Sequence, residues 1–486
     1  MERKISDLYN VLPFELTTGQ KNLLSLATSG NNVLAIGDAG SGKSTVLELL
    51  RQFWGDKACF TAYTGIANMR LFDGKGGKGT ISRIAGLPMG IAQPKHWKEL
   101  TRACQEILAS SDKIEFLIVE ECGGMNAEQL HILQHRIRRL NKASKKRRQR
   151  DIKLILVGDL LQLGCITSDE EKEFYTNKYG SHFFFKSDAF KEMDFKTVLL
   201  SEVKRQNDPV FMAALDVMRY GNEDRMFNLL KWLNKRYNPK PPVNVPRICA
   251  TKKAVKAFNQ AALNKNPNEL FCYTPTIEGD FNYNDNCPID FELEVKEGMI
   301  AMVMVNDPSE ENNYQNGTIG VLTQATSCGV YLKLNSTGEE ILIPPYEFVE
   351  YHDVEVSRTT RDDGTEAVEY EQEEKGKASH IPICHAASIT VHRAQGATLT
   401  SEFVLDMGST WAYEKFKDFG AALAYVGFSR ATDVNNIHLK TKLKAEHIKV
   451  CEETIKWLFS VDAIDRSKLS KSMLKKCVEY KENLND

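Results

Sequence analysis

The segment Gly37-Asp38-Ala39-Gly40-Ser41-Gly42-Lys43-Ser44-Thr45 has the spacing of a loop that cradles phosphates. Glycines at 37, 40 and 42 let main-chain N–H groups curl around phosphate oxygens. Lys43 reaches the β and γ oxygens, and the Ser44 hydroxyl takes Mg2+. Such a loop also needs an acid at the end of a neighbouring strand, and Phe116-Leu117-Ile118-Val119-Glu120-Glu121 supplies two. Glu120 stands where a metal-linked acid stands, and Glu121 where a carboxylate polarises an attacking water. The chemistry implied is phosphoryl transfer from ATP with Mg2+.

These residues need parallel strands to hold them. From Asn32 to Asp159 the chain repeats a short apolar strand, a turn and a helical stretch, the pattern of a parallel sheet of βαβ units. The strands are read as Val33 to Ile36, Cys59 to Ala62, Phe116 to Val119 and Leu154 to Val157. A second set is read at Val198 to Leu200, Arg247 to Ala250, Ala387 to Thr390, Phe403 to Asp406 and Ile437 to Leu439. It is interrupted by β-rich runs at Gly298 to Asn306, Gly317 to Gln324, Gly329 to Leu334 and Glu340 to Glu350, with hairpin turns expected at Asn316-Gly317 and Asp363-Gly364. A smaller insert lies between Leu87 and Ser110. Ile448, Cys451, Ile455 and Leu458 have the spacing of a helix that docks back on the core.

Further along, Gly158-Asp159-Leu160-Leu161-Gln162-Leu163 resembles motif III of superfamily 1 helicases, and Arg205-Gln206 resembles their motif IV. Thr390-Val391-His392-Arg393-Ala394-Gln395-Gly396-Ala397-Thr398 resembles motif V, and Tyr425-Val426-Gly427-Phe428-Ser429-Arg430-Ala431-Thr432 resembles motif VI. With Leu16-Thr17-Thr18-Gly19-Gln20 as a Q motif and Thr64-Gly65-Ile66-Ala67 as motif Ia, the order is similar to that of subgroup B. That subgroup holds the Pif helicases and their RecD-like and phage Dda-like relatives. The resemblance runs from about Leu16 to Leu439, nearly the whole chain.

The resemblance implies an α/β protein of two RecA-like P-loop cores with parallel sheets, plus a small inserted β-barrel domain in the second core. Residues 1–200 would form the first core with its insert at about 87–110. Residues 201–266 and 378–441 would form the second core, 267–377 the barrel with its hairpin, and 442–486 a helical tail. Gln20 would read adenine and Gln162 would sense the γ-phosphate. Arg205 and Arg430 would offset charge on the transferred phosphoryl group, and Gln395 and Gly396 would complete the nucleotide side. Thr64, Gly65, Thr80, Ser82, Arg83, Thr390 and His392 would face DNA. The chain departs from the pattern with Glu120 where the family has Asp, with Cys122-Gly123-Gly124-Met125 after the acids, and with Arg83 near where a DNA-facing His is usual.

The implied activity is ATP-dependent DNA unwinding with 5′ to 3′ movement on a single strand, in replication, recombination or repair. The alternatives are a DNA-stimulated ATPase that unwinds weakly and a docking subunit of a replication or recombination complex. Partners would be single-stranded DNA and its junctions with duplex, and a monomer is expected, with replication or recombination proteins as further partners.

Composition sets the outer bounds. In 486 residues, 63 Lys and Arg nearly balance 65 Asp and Glu, so any nucleic-acid groove must be a local patch. Eleven cysteines without a Cys-x-x-Cys fit reduced thiols rather than a zinc site or disulfide frame. No apolar run approaches the roughly 18 residues of a membrane span, and Met1-Glu2-Arg3-Lys4 leads into no signal-like stretch, so an intracellular protein, cytoplasmic or nuclear, of cellular, viral or phage origin, is expected. The basic run from Lys142 to Arg150 lies outside the family pattern, and the acidic stretch from Glu366 to Glu374 is read as a solvated hairpin arm.

Overall fold

A computed structural model describes residues 5–484 except 11, 72–78, 89, 99–103, 105–106, 109–112, 144–150, 166, 203–207, 243–244, 284–286, 306, 310–312, 315, 336, 361–365, 396 and 416–419. Arg205, Gly396, the Asp363-Gly364 turn and most of the basic run therefore lie outside the described residues. The chain forms two compact units, one of residues 1–251 with 390–486 and one of residues 252–389.

The larger unit is built on a five-stranded parallel sheet. Its strands are β1 (Val33–Gly37), β2 (Ala58–Ala62), β3 (Phe116–Glu120), β4 (Lys153–Gly158) and β5 (Lys196–Leu200), in the order β2-β3-β4-β1-β5. Their near-continuous apolar runs are what a sheet covered on both faces requires. Alternate residues feed two cores: Val33, Ala35, Phe60, Ile118, Ile155 and Val157 face one way, and Leu34, Ile36, Cys59, Leu117, Leu154 and Leu156 the other. The first core is closed by the helix Lys43–Trp54, whose Val46, Leu47, Leu50 and Trp54 are buried, with Trp54 stacked on Phe116 at 3.9 Å between ring centroids.

The second core is closed partly by the end of the chain. Ile455, Trp457, Leu458 and Phe459 of the helix Glu452–Ser460 join it, with Met473 and Cys477 of the helix Lys471–Glu482. Ile455 and Leu458 of the expected docking helix supply this contact, but the helix begins only at Glu452, so Cys451 is its N-cap and Ile448 lies in the preceding turn.

One expectation fails in this unit. Val198–Leu200, read as the start of the second sheet, belongs to β5, which pairs in parallel with β1 through Val33↔Lys196 to Gly37↔Leu200. A short apolar run is compatible with either sheet, and only long-range pairing decides between them.

The second sheet of this unit runs parallel through Arg247–Cys249, Phe403–Asp406 and Ile437–Leu439, with Val391 N–H donating to Cys249 O beyond the first of these. The helix Leu423–Phe428 crosses between the last two strands, and Gly427 lets it lie against Leu405, because a Cβ there would come within 2.9 Å of that side chain. The helix Pro209–Tyr220 packs on Leu423–Phe428.

The smaller unit holds the helix Lys252–Lys265 and the β-rich insert. Four antiparallel strands, Ile300–Val303, Ile319–Thr326, Gly329–Leu334 and Glu340–Ile343, pair in sequence order, with Ile383–His385 on the far side of Ile300–Val303. Tyr346–Thr360 and Glu366–His380 pair as a long hairpin that continues onto Thr276–Gly279, while Leu270–Tyr273 pairs with Leu293–Lys296. Pro344-Pro345 divides the run read as Glu340 to Glu350 into two strands, since proline cannot donate to a ladder. Every cysteine is a free thiol, and among the described residues no helix is long and apolar enough to cross a membrane.

Candidate functional site

The phosphate loop follows β1 and opens the helix Lys43–Trp54, at the carboxyl ends of the parallel strands where α/β sheets gather their ligands. Gly40 and Gly42 adopt φ of 83° and 77°, a region that costs side-chain-bearing residues strain. A Cβ on Gly42 would also lie 2.4 Å from Gln20 Nε2, and one on Gly37 would lie 2.5 Å from Ser41 Oγ. A side chain at either position would therefore have to displace a neighbour, and at Gly42 it would also strain the backbone. Lys43 Nζ donates to Gly37 O at 3.0 Å and Asp38 O at 2.9 Å, folding over the loop, and Ser44 is exposed at its mouth with Thr45 half-buried beside it.

Gln20 is placed beside the phosphate loop. Its Oε1 accepts from Thr17 N at 2.9 Å in a capping box, and its Nε2 donates to Ser41 O at 3.2 Å. In this conformation the amide braces the phosphate loop with both of its ends.

Glu120 ends β3, and Glu121 follows with φ 55° and ψ 40°. That left-handed conformation is costly for a non-glycine residue and is typical of functional turns. It aims the Glu121 carboxylate away from the strand, where Gln395 Nε2 donates to its Oε2 at 3.3 Å. The same nitrogen lies 3.4 Å from Gln162 Oε1, so the turn after Thr390 contacts both the acid and the motif III amide. Gln162 is itself held by its Nε2 donating to Asp159 Oδ2 at 3.2 Å.

Arg430 sits differently from the expectation. It is 1% exposed, and its guanidinium donates to Val426 O at 2.8 Å, Ala397 O at 3.3 Å and Ser429 Oγ at 2.7 Å, all around the second sheet. From motif VI it is Tyr425 that reaches the phosphate loop, where its hydroxyl accepts from Ala39 N at 3.1 Å and donates to Asp159 Oδ2 at 3.2 Å. Burial and the nearby Asp159 charge push the Tyr425 hydroxyl well above its ordinary pKa, so it stays a donor.

Sequence reasoning missed the cation of this site. Arg219, 2% exposed, places Nη1 2.5 Å from Asp38 Oδ1 and Nη2 2.6 Å from Asp159 Oδ1. The Asp38 contact is an ion pair without donor alignment, since Asp38 Oδ1 has no aligned hydrogen bond despite the short distance. Burial pushes Asp159 upward, but Arg219 and then Lys43 outweigh it and hold the carboxyl below its usual range; at Asp38, burial wins over Arg219 and the carboxyl is raised. Burial opposes the charge on Arg219, yet Asp159 and Asp38 more than restore it. Removing one partner of such a buried set costs about 3–5 kcal/mol. The signal available in the sequence was Asp38 itself, because a carboxylate inside a phosphate loop demands a cation.

The residues expected to face DNA fall on neighbouring turns. Thr64 caps the helix Gly65–Arg70 by accepting from Ala67 N at 3.2 Å, and Thr80 caps Ile81–Ala85 by accepting from Arg83 N. Each hydroxyl keeps its proton for another acceptor. Ser82 is half-buried and Arg83 exposed on the second of these helices. Thr390 Oγ1 accepts from Arg393 N at 3.3 Å, and His392 is exposed. A cavity of about 240 Å3 is lined by Thr64 and His392 together with Glu121, Gln395 and Tyr63. It brings candidate DNA-facing groups within one space with the candidate catalytic acid.

Residues 15–172 match a family model described as an AAA domain. Over 443 residues the chain is 25% identical to the ATP-dependent DNA helicase Pif1 of Bdellovibrio bacteriovorus, covering 90% of each. The solved structure of Bacteroides Pif1 bound to single-stranded DNA superposes with TM-score 0.74 at 25% identity, over 92% of this chain and 96% of that one. The chain is a homologue of the Pif1 helicases. Bacteroides Pif1 in complex with ADP-AlF3 and single-stranded DNA aligns equally well, with TM-score 0.74 at 25% identity over 91% of this chain and 96% of that one. Against the Pif1 helicase of Saccharomyces cerevisiae the identity is 26% over 69% of this chain, but the match spans only 38% of that longer protein. The two parallel sheets agree with the paired RecA-like cores that the Pif1 resemblance implies.

Proposed function

We propose that this chain is an ATP-dependent DNA helicase that moves 5′ to 3′ on single-stranded DNA and unwinds duplex ahead of it. The observation that carries the reading is the cavity where Thr64 and His392 meet Glu121 and Gln395. A strand held by the first pair lies next to the acid that activates water, so binding of DNA and hydrolysis of ATP share one set of side chains.

The phosphate loop suits a nucleotide triphosphate, since Gly40 and Gly42 hold its left-handed turns and Lys43 lies across it from the first turn of the following helix. Among the described residues no cluster of three or more His, Cys, Asp or Glu is ready to hold a metal alone. Mg2+ would therefore be shared between Ser44, Glu120 and the nucleotide itself, supplying charge neutralisation at the phosphates. Arg205 and Arg430 are proposed to stabilise the transferred phosphoryl group. For Arg430 that requires its guanidinium to leave Val426 O and Ala397 O when the nucleotide binds.

The test is ATP turnover with and without single-stranded DNA, run beside displacement of a labelled strand from a duplex bearing a 5′ single-stranded tail. DNA-stimulated turnover with displacement supports the helicase; stimulated turnover without displacement supports a DNA-dependent ATPase; turnover indifferent to DNA rejects both.

A further inference from the structure

Asp38, inside the phosphate loop, and Asp159, just past β4, are both buried beside the place a triphosphate occupies. Two carboxylates there oppose a polyanion unless they are neutralised. The cation comes from outside the first sheet. Arg219 lies on the buried face of the helix Pro209–Tyr220, which begins with Pro209 at its first turn under an Asp208 cap and packs on the helix Leu423–Phe428. Its guanidinium forks to both acids, with the Tyr220 hydroxyl 2.7 Å from Nη1 and the Tyr425 ring 5.8 Å away.

Beyond Asp159 the contacts continue. Asp159 Oδ1 accepts from Leu161 N at 3.0 Å and its Oδ2 accepts from Gln162 Nε2, while Gln162 meets Gln395, which meets Glu121. A continuous series thus runs from the phosphate loop through Arg219 to the candidate catalytic acid. Lys468 does not duplicate Arg219: its Nζ is 3.0 Å from Asp216 Oδ1 and 4.0 Å from Asp38 Oδ2.

We propose that Arg219 is a positioning residue for ATP hydrolysis, one that discharges Asp38 and orients Asp159, so that the phosphate loop accepts a triphosphate only when the helix Pro209–Tyr220 is seated. The inference rests on the helicase reading and deepens it. Movement of that helix with the second sheet then changes both the charge at the loop and the position of Gln162, which ties nucleotide affinity to the DNA-responsive side of the molecule.

The experiment uses the full chain, measuring kcat and KM for ATP with and without an oligo(dT) strand, together with affinity for a fluorescent ADP. Arg219→Gln should raise KM for ATP by about tenfold or more and abolish most of the DNA stimulation, because it removes the cation shared by two buried carboxylates and leaves them to Lys43 and the more distant Lys468. Adding Asp38→Asn should return KM for ATP to within about threefold of the parent without restoring DNA stimulation, since the bridge to Asp159 is still missing. An arginine that served only the fold would lower the melting temperature and kcat while leaving KM in place.

A parental KM and parental DNA stimulation in a folded Arg219→Gln protein would overturn the proposal, as would a double variant no better than the single one. Should Arg219→Gln fail to fold, Arg219→Lys keeps the charge but cannot fork to both acids. Lost DNA stimulation in that variant supports the role, since the bridge to Asp159 is missing, and parental DNA stimulation overturns it. The parent in the same assay separates this idea from the one beneath it. A parent that ignores oligo(dT) rejects the helicase reading, whereas a responsive parent beside an Arg219→Gln variant with parental KM and parental DNA stimulation rejects only the role of Arg219.

Discussion

Gln395 Nε2 lies 3.3 Å from Glu121 Oε2, joining the turn after Thr390 to the turn after β3. A carboxylate held in a left-handed turn by an amide from another sheet is positioned by the tertiary structure and not by its own strand. Glu121→Gln should keep ATP bound but lose hydrolysis, since an amide cannot polarise water as a carboxylate does. Glu120→Asp should keep or raise turnover, because the shorter acid is the one the helicase resemblance implies at the metal position. Full turnover in Glu121→Gln beside a dead Glu120→Gln would move the catalytic role one residue upstream.

Lys43→Ala should nearly abolish ATP turnover in a protein that still folds. The lysine lies over the cradle on Gly37 O and Asp38 O, and its own side chain is only half-buried, so the packed core does not depend on it. Its loss removes the charge that meets the β and γ phosphates. Turnover within about threefold of the parent would contradict the phosphate-loop assignment, given the size of that electrostatic effect.

Arg430→Ala should lower both turnover and the melting temperature. The guanidinium ties Val426 O to Ala397 O and Ser429 Oγ, and deleting it removes these bonds and empties the space of a fully buried side chain at a cost of about 1–3 kcal/mol. A role confined to the transition state predicts lower kcat with unchanged melting, so calorimetry beside steady-state kinetics tells whether the residue serves the packing of the second sheet, the phosphoryl group or both.

Affinity for single-stranded DNA should fall with salt at a log–log slope of about −0.7 per phosphate neutralised, near about −3.5 for a footprint of roughly five phosphates. Replacing Thr64 and His392 with Ala together should weaken binding at every salt concentration, because both line the cavity beside Glu121. A flat salt response in fluorescence anisotropy would point to a protein partner in place of DNA.

The sequence by itself determined the local chemistry: the glycine spacing of the phosphate loop, the acids after an apolar strand, and the helical spacing of Ile455 and Leu458 all follow from short-range pattern, where a residue's type constrains its neighbours' conformation. Motif order extended that to two cores. What only the tertiary structure decided lies between segments far apart in the chain. It moved Val198–Leu200 into the first sheet, turned Gln20 inward as a brace, withdrew Arg430 into the second sheet and brought Tyr425 and Arg219 to the phosphate loop. Arg219 carries no motif in its own neighbourhood, where it reads as one of two charges, with Asp216, on an otherwise apolar helix. Its partners are 181 and 60 residues away in sequence, at Asp38 and Asp159, and a buried charge is explained only by the groups that the fold places against it.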